Sequence, residues 1–221
     1  MKKINKYSLT TLILFVISLL YILLIKTIDV KPIGPGSTEV GFSTLNNFIH
    51  TLLPFNNTWY EITKYLGIIP FIFVGCYALL GLYQLIKRKS LLKVDKRIIL
   101  LGCFYILLGI IYIFFEKVII NYRPVVLEGD LLEASFPSSH TLLAVSICLS
   151  SIFTSKYYIT NKQILKSINI FALILMFVLV IGRIISGVHW ISDIIGGILI
   201  SSTILSLYYS LLIKTNKKEG K

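Results

Sequence analysis

Charge is scarce in this sequence. Of 221 residues only 14% are charged, and no more than 10 are acidic. Soluble domains carry roughly 25% charged residues, so an ordinary water-soluble fold is excluded for most of the chain. Cysteine is scarce as well. Cys76, Cys103 and Cys148 all lie in apolar runs, at spacings that match neither a disulfide framework nor a metal motif; they read as buried free thiols in membrane helices. No internal repeat and no low-complexity linker divides the chain, so one domain over residues 1–221 is the simplest organisation.

What is abundant is apolar surface. Hydrophobic residues make up 56% of the sequence, and the mean hydropathy is +0.83. Crossing a ~30 Å hydrocarbon core takes about 20 helical residues. Six apolar segments approach that length: Ser8 to Ile25, Gly67 to Ile86, Ile98 to Phe115, Thr141 to Phe153, Ile168 to Ile185 and Ile191 to Ile213. The fourth is the shortest. The pattern predicts an all-α, integral membrane six-helix bundle. The first segment follows a basic start, Met1-Lys2-Lys3, as a signal peptide would. It is longer than a typical apolar signal core of ~7–15 residues and no small-x-small cleavage site follows it, so it reads as a retained membrane helix.

The net charge of +12 does not point to nucleic acid, because the basic residues sit at the ends of apolar runs and no soluble basic stretch interleaves them with aromatics. Their distribution gives an orientation instead. Lys2, Lys3 and Lys6, the cluster from Lys87 to Arg97, the trio Lys156, Lys162 and Lys166, and the basic residues from Lys214 onward fall on one side, sixteen of the 22. Lys26, Lys31, Lys64, Lys117, Arg123 and Arg183 fall on the other. Positive charge marks the cytoplasmic side, which predicts a multi-pass cell-membrane protein with both termini cytoplasmic. Two segments then lie outside, residues 26–66 and Glu116 to His140. Residues 26–66 contain the turn-forming Ile33-Gly-Pro-Gly-Ser-Thr38. Val40 to Phe55 follows with apolar residues at partly helical spacing, which fits an interfacial helix or an ordinary ordered loop.

The chemistry-bearing residues also gather on the outer side. They form three stretches: Lys117-Val-Ile-Ile-Asn-Tyr-Arg123-Pro124, Pro137-Ser138-Ser139-His140, and Arg183-Ile-Ile-Ser-Gly-Val-His189-Trp-Ile-Ser-Asp193. A single arginine at a helix end is usually a snorkelling anchor. Two arginines, two histidines, an Asp and a Ser-rich helix start on one side of a membrane are better read as a site. Arginine forks match phosphate oxygens, so Arg123 and Arg183 are candidate phosphate ligands, with Lys117 adding a point charge. Ser138, Ser139 and His140 precede the fourth apolar segment, whose free N–H groups favour an anion. His189 and Asp193 are four apart; on a helix they share a face and can hydrogen-bond, fixing the tautomer of the imidazole. Two histidines allow one to attack phosphorus and the other to protonate the leaving oxygen.

In order and spacing these stretches resemble the type 2 phosphatidic acid phosphatase superfamily. Its signature is Lys-x6-Arg-Pro, Pro-Ser-Gly-His and Ser-Arg-x5-His-x3-Asp. The resemblance implies His189 as nucleophile, Asp193 as its orienter and His140 as general acid. It also implies that Arg123, Arg183, Ser138 and Lys117 bind phosphate, with Ser139 in place of the signature Gly, and that no metal or other cofactor is needed. Three departures stand out. Lys117 is one residue too close to Arg123, so Glu116 holds the signature position; a one-residue offset turns a helical side chain by ~100°. Ser139 replaces Gly, and Gly182 replaces the Ser before Arg183. The function implied is a membrane phosphatase acting on a phosphorylated lipid through a phosphohistidine. An outward site favours undecaprenyl pyrophosphate, and phosphatidylglycerophosphate and phosphatidic acid are the other substrates. A lipid phosphotransferase and a lipid-binding or transport protein with a degenerate site are the competing classes. The lipid head group and the oligomeric state are not legible in the sequence.

Overall fold

The computed structural model describes residues 6–127, 129 and 131–219. Lys2, Lys3 and Lys221, counted above for orientation, lie outside the described residues. All six apolar segments are helices: α1 (Lys6–Thr27), α4 (Pro70–Arg88), α5 (Lys96–Lys117), α6 (Ser139–Ser155), α7 (Lys162–Ile185) and α8 (Ile191–Glu219). Two more, α2 (Ser43–Leu52) and α3 (Asn57–Leu66), lie between α1 and α4. Five helical runs are long and apolar enough to cross a membrane: α1, residues 57–88, α5, α7 and most of α8. At 17 residues, α6 is the short one, about 26 Å at the ~1.5 Å rise of an α-helix.

The brevity of α6 in the sequence has a structural cause. It is the helix most enclosed by the others, packed on α4, α7 and α8, and Ser146, Ser150, Ser151, Thr154 and Ser155 on it are all buried. Those residues interrupt an apolar run but not a membrane helix, because most of their hydroxyls find partners inside the bundle. Thr154 shares a hydrogen bond of 2.5 Å with Tyr208 and Ser150 one of 3.3 Å with Tyr105. The long α8 runs antiparallel to α1, joined by Ser18–Thr203 and Thr11–Ser206 hydroxyl bonds, both of 2.9 Å. Small polar residues at helix contacts are what packing within lipid favours. The outer surface is apolar: Leu79 and Ile86 are each 67% exposed. Cys148 is buried as expected, whereas Cys76 and Cys103 lie on this outer surface, because the apolar runs carrying them face outward as well as inward.

The segment 26–66 is ordered rather than loose. Pro35–Ser37 form a 3-10 turn. The helix α2 turns Ser43 and Asn46 inward, where Asn46 accepts from the Ser192 N–H at 3.1 Å. It leaves Leu45, Phe48 and Leu52 exposed. Asn56 caps α3 by accepting from the Trp59 N–H at 3.1 Å. Both helices lie against the end of the bundle where α7 stops and α8 starts.

Candidate active site

Three chain reversals meet at that end. The first is the connection from α5 to α6, pinched by an antiparallel bridge between Tyr122 and Ala134. The Arg123 N–H donates to the Glu133 carbonyl at 3.1 Å, and the Ser135 N–H to the Asn121 carbonyl at 2.9 Å. This pinch presents Arg123 and Ser135 together. Phe136 then packs its ring on Gly196 of α8, where an added Cβ would come within 2.1 Å of the ring. The second is the start of α6. The Ser138 N–H donates to the Asp193 carbonyl at 3.0 Å, and its hydroxyl accepts from Thr141 at 3.1 Å. With Ser139 the first helical residue, the α6 start has the unpaired N–H groups of any helix N-terminus.

The third reversal is the α7–α8 turn. Gly187 has φ +60°, a left-handed conformation that glycine adopts without strain. An added Cβ would also come within 2.7 Å of the Leu53 carbonyl oxygen. This turn places His189 before α8 rather than on it. The expected helical i, i+4 contact with Asp193 is therefore replaced by a relay. His189 Nδ1 is 3.0 Å from Ser135 Oγ, and that hydroxyl donates to Asp193 Oδ2 at 2.5 Å. Asp193 also accepts from Asn121 Nδ2 at 2.9 Å and from the Trp190 N–H at 3.1 Å.

Across the site Arg183 is 1% exposed. It lies over the Tyr60 ring, 5.3 Å from its centroid, and its Nη2 meets His140 Nδ1 at 2.5 Å. A guanidinium only donates, so Nδ1 accepts and the His140 proton sits on Nε2. Arg123 Nη1 pairs with Glu133 at 2.8 Å. Several buried polar atoms make no hydrogen bond within the protein: His189 Nε2, Arg123 Nε, and Arg183 Nε and Nη1. Burial first, then the charges of Arg123 and Arg183 and the neighbouring His140, hold His189 well below its ordinary value; a bond to the Ser135 main chain pulls the other way. The neutral imidazole is thus the favoured form. An anion among these groups satisfies donors and offsets positive charge at once.

Lys117 is exposed at the end of α5. Glu116, in the position the signature gives to Lys, lines a small pocket with His189, Ser139 and Tyr112. The one-residue offset has the geometric consequence expected of a helix. Beside this pocket runs an apolar groove of about 480 Å³, lined by Gly67, Phe71, Gly109, Tyr112, Ser139, His140 and Leu143 among others. Gly67 lets the His140 ring approach the main chain, since a Cβ there would come within 2.8 Å of that ring. Among the described residues, no three His, Cys, Asp or Glu side chains are grouped so as to hold a metal ion.

The sequence profile of the PAP2 superfamily matches residues 100–217, more than half of the chain and all three reversals. The chain belongs to the PAP2 superfamily. No curated protein sequence matches this PAP2 chain. Among solved structures, the crystal structure of a transmembrane PAP2-type phosphatidylglycerolphosphate phosphatase from Bacillus subtilis is similar. The likeness covers 92% of this chain and 96% of that one, with a TM-score of 0.61 at 18% identity. It is a likeness of fold.

The structure brings His140, Arg183, His189, Asp193 and Arg123 of this PAP2 member to one end of the bundle, with Ser138 and Ser139 at the α6 start. Ser135, Asn121, Glu133 and Tyr60 have no place in the sequence reading. Asn121 is a polar residue within an apolar stretch, which is a usable signal. Ser135 and Tyr60 carry none, because their positions depend on how distant segments pack.

Proposed function

We propose that this PAP2 chain is a membrane lipid phosphatase that works through a phosphohistidine on His189. The observation that carries the reading is that buried donors of Arg123 and Arg183 and the buried His189 Nε2 are all without a partner, with both arginine charges acting on His189. Nε2 attacks phosphorus, and the bond from phosphorus to the lipid oxygen breaks. His140 supplies the proton that the leaving oxygen takes up. To hold that proton as an imidazolium, His140 must regain Nδ1 from Arg183. A phosphate offers Arg183 a stronger acceptor and so releases it. Water then attacks phosphorus, the P–N bond breaks, and the water's proton passes to His140. The protein's own side chains suffice for these steps, so activity is expected to persist in EDTA.

The apolar groove beside His140 suits the hydrocarbon part of a lipid substrate. Glu116 and Glu133 add negative charge to the site, which costs a diphosphate more than a monoester. A phosphomonoester such as phosphatidylglycerophosphate, the substrate named for the B. subtilis neighbour, is therefore preferred over undecaprenyl pyrophosphate. The basic-residue bias supports cytoplasmic termini and an outward site, with α2 in the outer interface through Leu45, Phe48 and Leu52. The test is phosphate release from a panel of lipid monoesters and diphosphates by detergent-purified protein in EDTA. Release from a monoester, lost in a folded His189→Ala variant, is the expected result. Turnover retained in that variant, or no hydrolysis of any lipid phosphate, contradicts the reading. Phosphate appearing on an added alcohol instead of in solution marks a phosphotransferase.

A further inference from the structure

The connection between Asp193 and His189 has a direction set by donor counts. Asp193 accepts from Asn121, from the Trp190 N–H and from Ser135 Oγ. An ionised carboxylate only accepts, and a hydroxyl has one proton. The Ser135 proton therefore points at Asp193. Toward His189 Nδ1, 3.0 Å away, the Ser135 oxygen shows only lone pairs, so Nδ1 carries the ring proton. The neutral ring then has its lone pair on Nε2, the buried atom without a partner. Ser135 is itself 1% exposed, and its main chain is tied to Asn121.

We infer that Ser135 is a positioning residue of the reaction: its hydroxyl relays the charge of Asp193 to His189 and holds the imidazole in the Nδ1–H tautomer, the one able to attack through Nε2. The inference rests on His189 being the nucleophile. As Nε2 bonds to phosphorus, the ring gains positive charge, and the Nδ1–H···Oγ–H···carboxylate chain stabilises it while every proton of the chain stays in place. Cleavage of the P–N bond by water returns the lone pair to Nε2. Two substitutions break the chain differently. Ser135→Ala removes the hydroxyl that links Nδ1 to Asp193 and leaves only the Ser135 main-chain contact at the ring. Asp193→Asn keeps an oxygen toward Ser135, because the fixed Trp190 N–H donates to the same carboxylate atom, but it removes the negative charge that the relay carries to the ring.

The test combines nitrogen NMR with kinetics on the full-length protein in nanodiscs, labelled with 15N-histidine. The chain has three histidines, so His50→Gln and His140→Gln variants assign the signals. The expected wild-type tautomer of His189 is Nδ1–H. In Ser135→Ala the main-chain contact alone remains at Nδ1, the tautomer becomes mixed, and kcat falls about 10²-fold, since the charge of Asp193 no longer reaches the ring through a hydroxyl. KM stays within about threefold, since ground-state binding is untouched. Ser135→Thr keeps the hydroxyl and restores both tautomer and most of kcat. A wild-type Nε2–H tautomer, or a tautomer unchanged by Ser135→Ala whether or not activity is lost, overturns the inference. A Ser135-dependent tautomer in a protein that hydrolyses no lipid phosphate leaves the relay standing and removes the phosphatase reading.

Discussion

Where α4 meets α5, Lys87, Arg88, Lys89 and Lys93 stand exposed. Most partners of basic residues at this end are local or aromatic: Arg97 pairs with Asp95 two residues away at 3.2 Å, although it also donates to the distant Asn216 at 2.6 Å, and Lys156 lies over Tyr157 and Tyr209. At the opposite end Arg183 is 1% exposed and His189 5%. Their partners come from distant parts of the chain, and several of their polar atoms have none. The lysine charge at the first end is solvated, screened by salt, and informative only about orientation. Charge at the second end is desolvated, which strengthens its attraction for an anion and makes it costly to leave unmatched. Basic residues thus serve two purposes in one bundle, and burial separates them better than residue type does.

The largest effect expected from breaking this contrast is at Arg183. Arg183→Met removes two unpaired donors and the brake on His140, and should lower kcat/KM by about 10²–10³-fold, the usual loss for a donor aimed at developing charge. Arg183→Lys should rescue little, because a point charge cannot replace the fork. Activity within a few-fold of wild type in either variant would put phosphate binding elsewhere. A smaller effect, of opposite sign, is expected at Glu133. Its carboxylate competes with substrate for Arg123, and a partly exposed ion pair is worth at most about 1 kcal/mol. Glu133→Gln should therefore tighten inhibition by inorganic phosphate by about two- to fivefold; weaker inhibition would mean that Glu133 helps to aim Arg123. The smallest effects belong to exposed charge. Lys156→Gln at the far end and Lys117→Gln at the near one should each leave kcat/KM within about twofold. A large loss at Lys117 would show that a phosphate in place draws it inward.

The same contrast explains what could be read from the sequence. Long apolar runs report membrane helices because hydrocarbon tolerates little else, and even α6, diluted by serines, kept enough of the pattern. The three polar stretches were visible because ionisable groups amid such runs are expensive. Their mutual arrangement was less legible. His189 and Asp193 are four residues apart, but Gly187 turns the chain and puts the first of them off the helix. Contact is then made through Ser135, more than fifty residues away. The Arg183–His140 bond and the Arg123–Glu133 pair likewise join different segments. Local periodicity carries no information about such meetings. The displacement of Lys117 by Glu116 was foreseeable, since a one-residue offset on a helix is local geometry.

The most direct measurement is a rapid-quench trap of the intermediate. Purified protein is mixed with a lipid phosphomonoester labelled with 32P, quenched in alkali within the first turnover, and digested for mass spectrometry. The expected result is label on His189, stable in alkali, lost in acid, and absent from the His189→Ala variant. Label on another residue, or hydrolysis at an undiminished rate in that variant, would contradict the account.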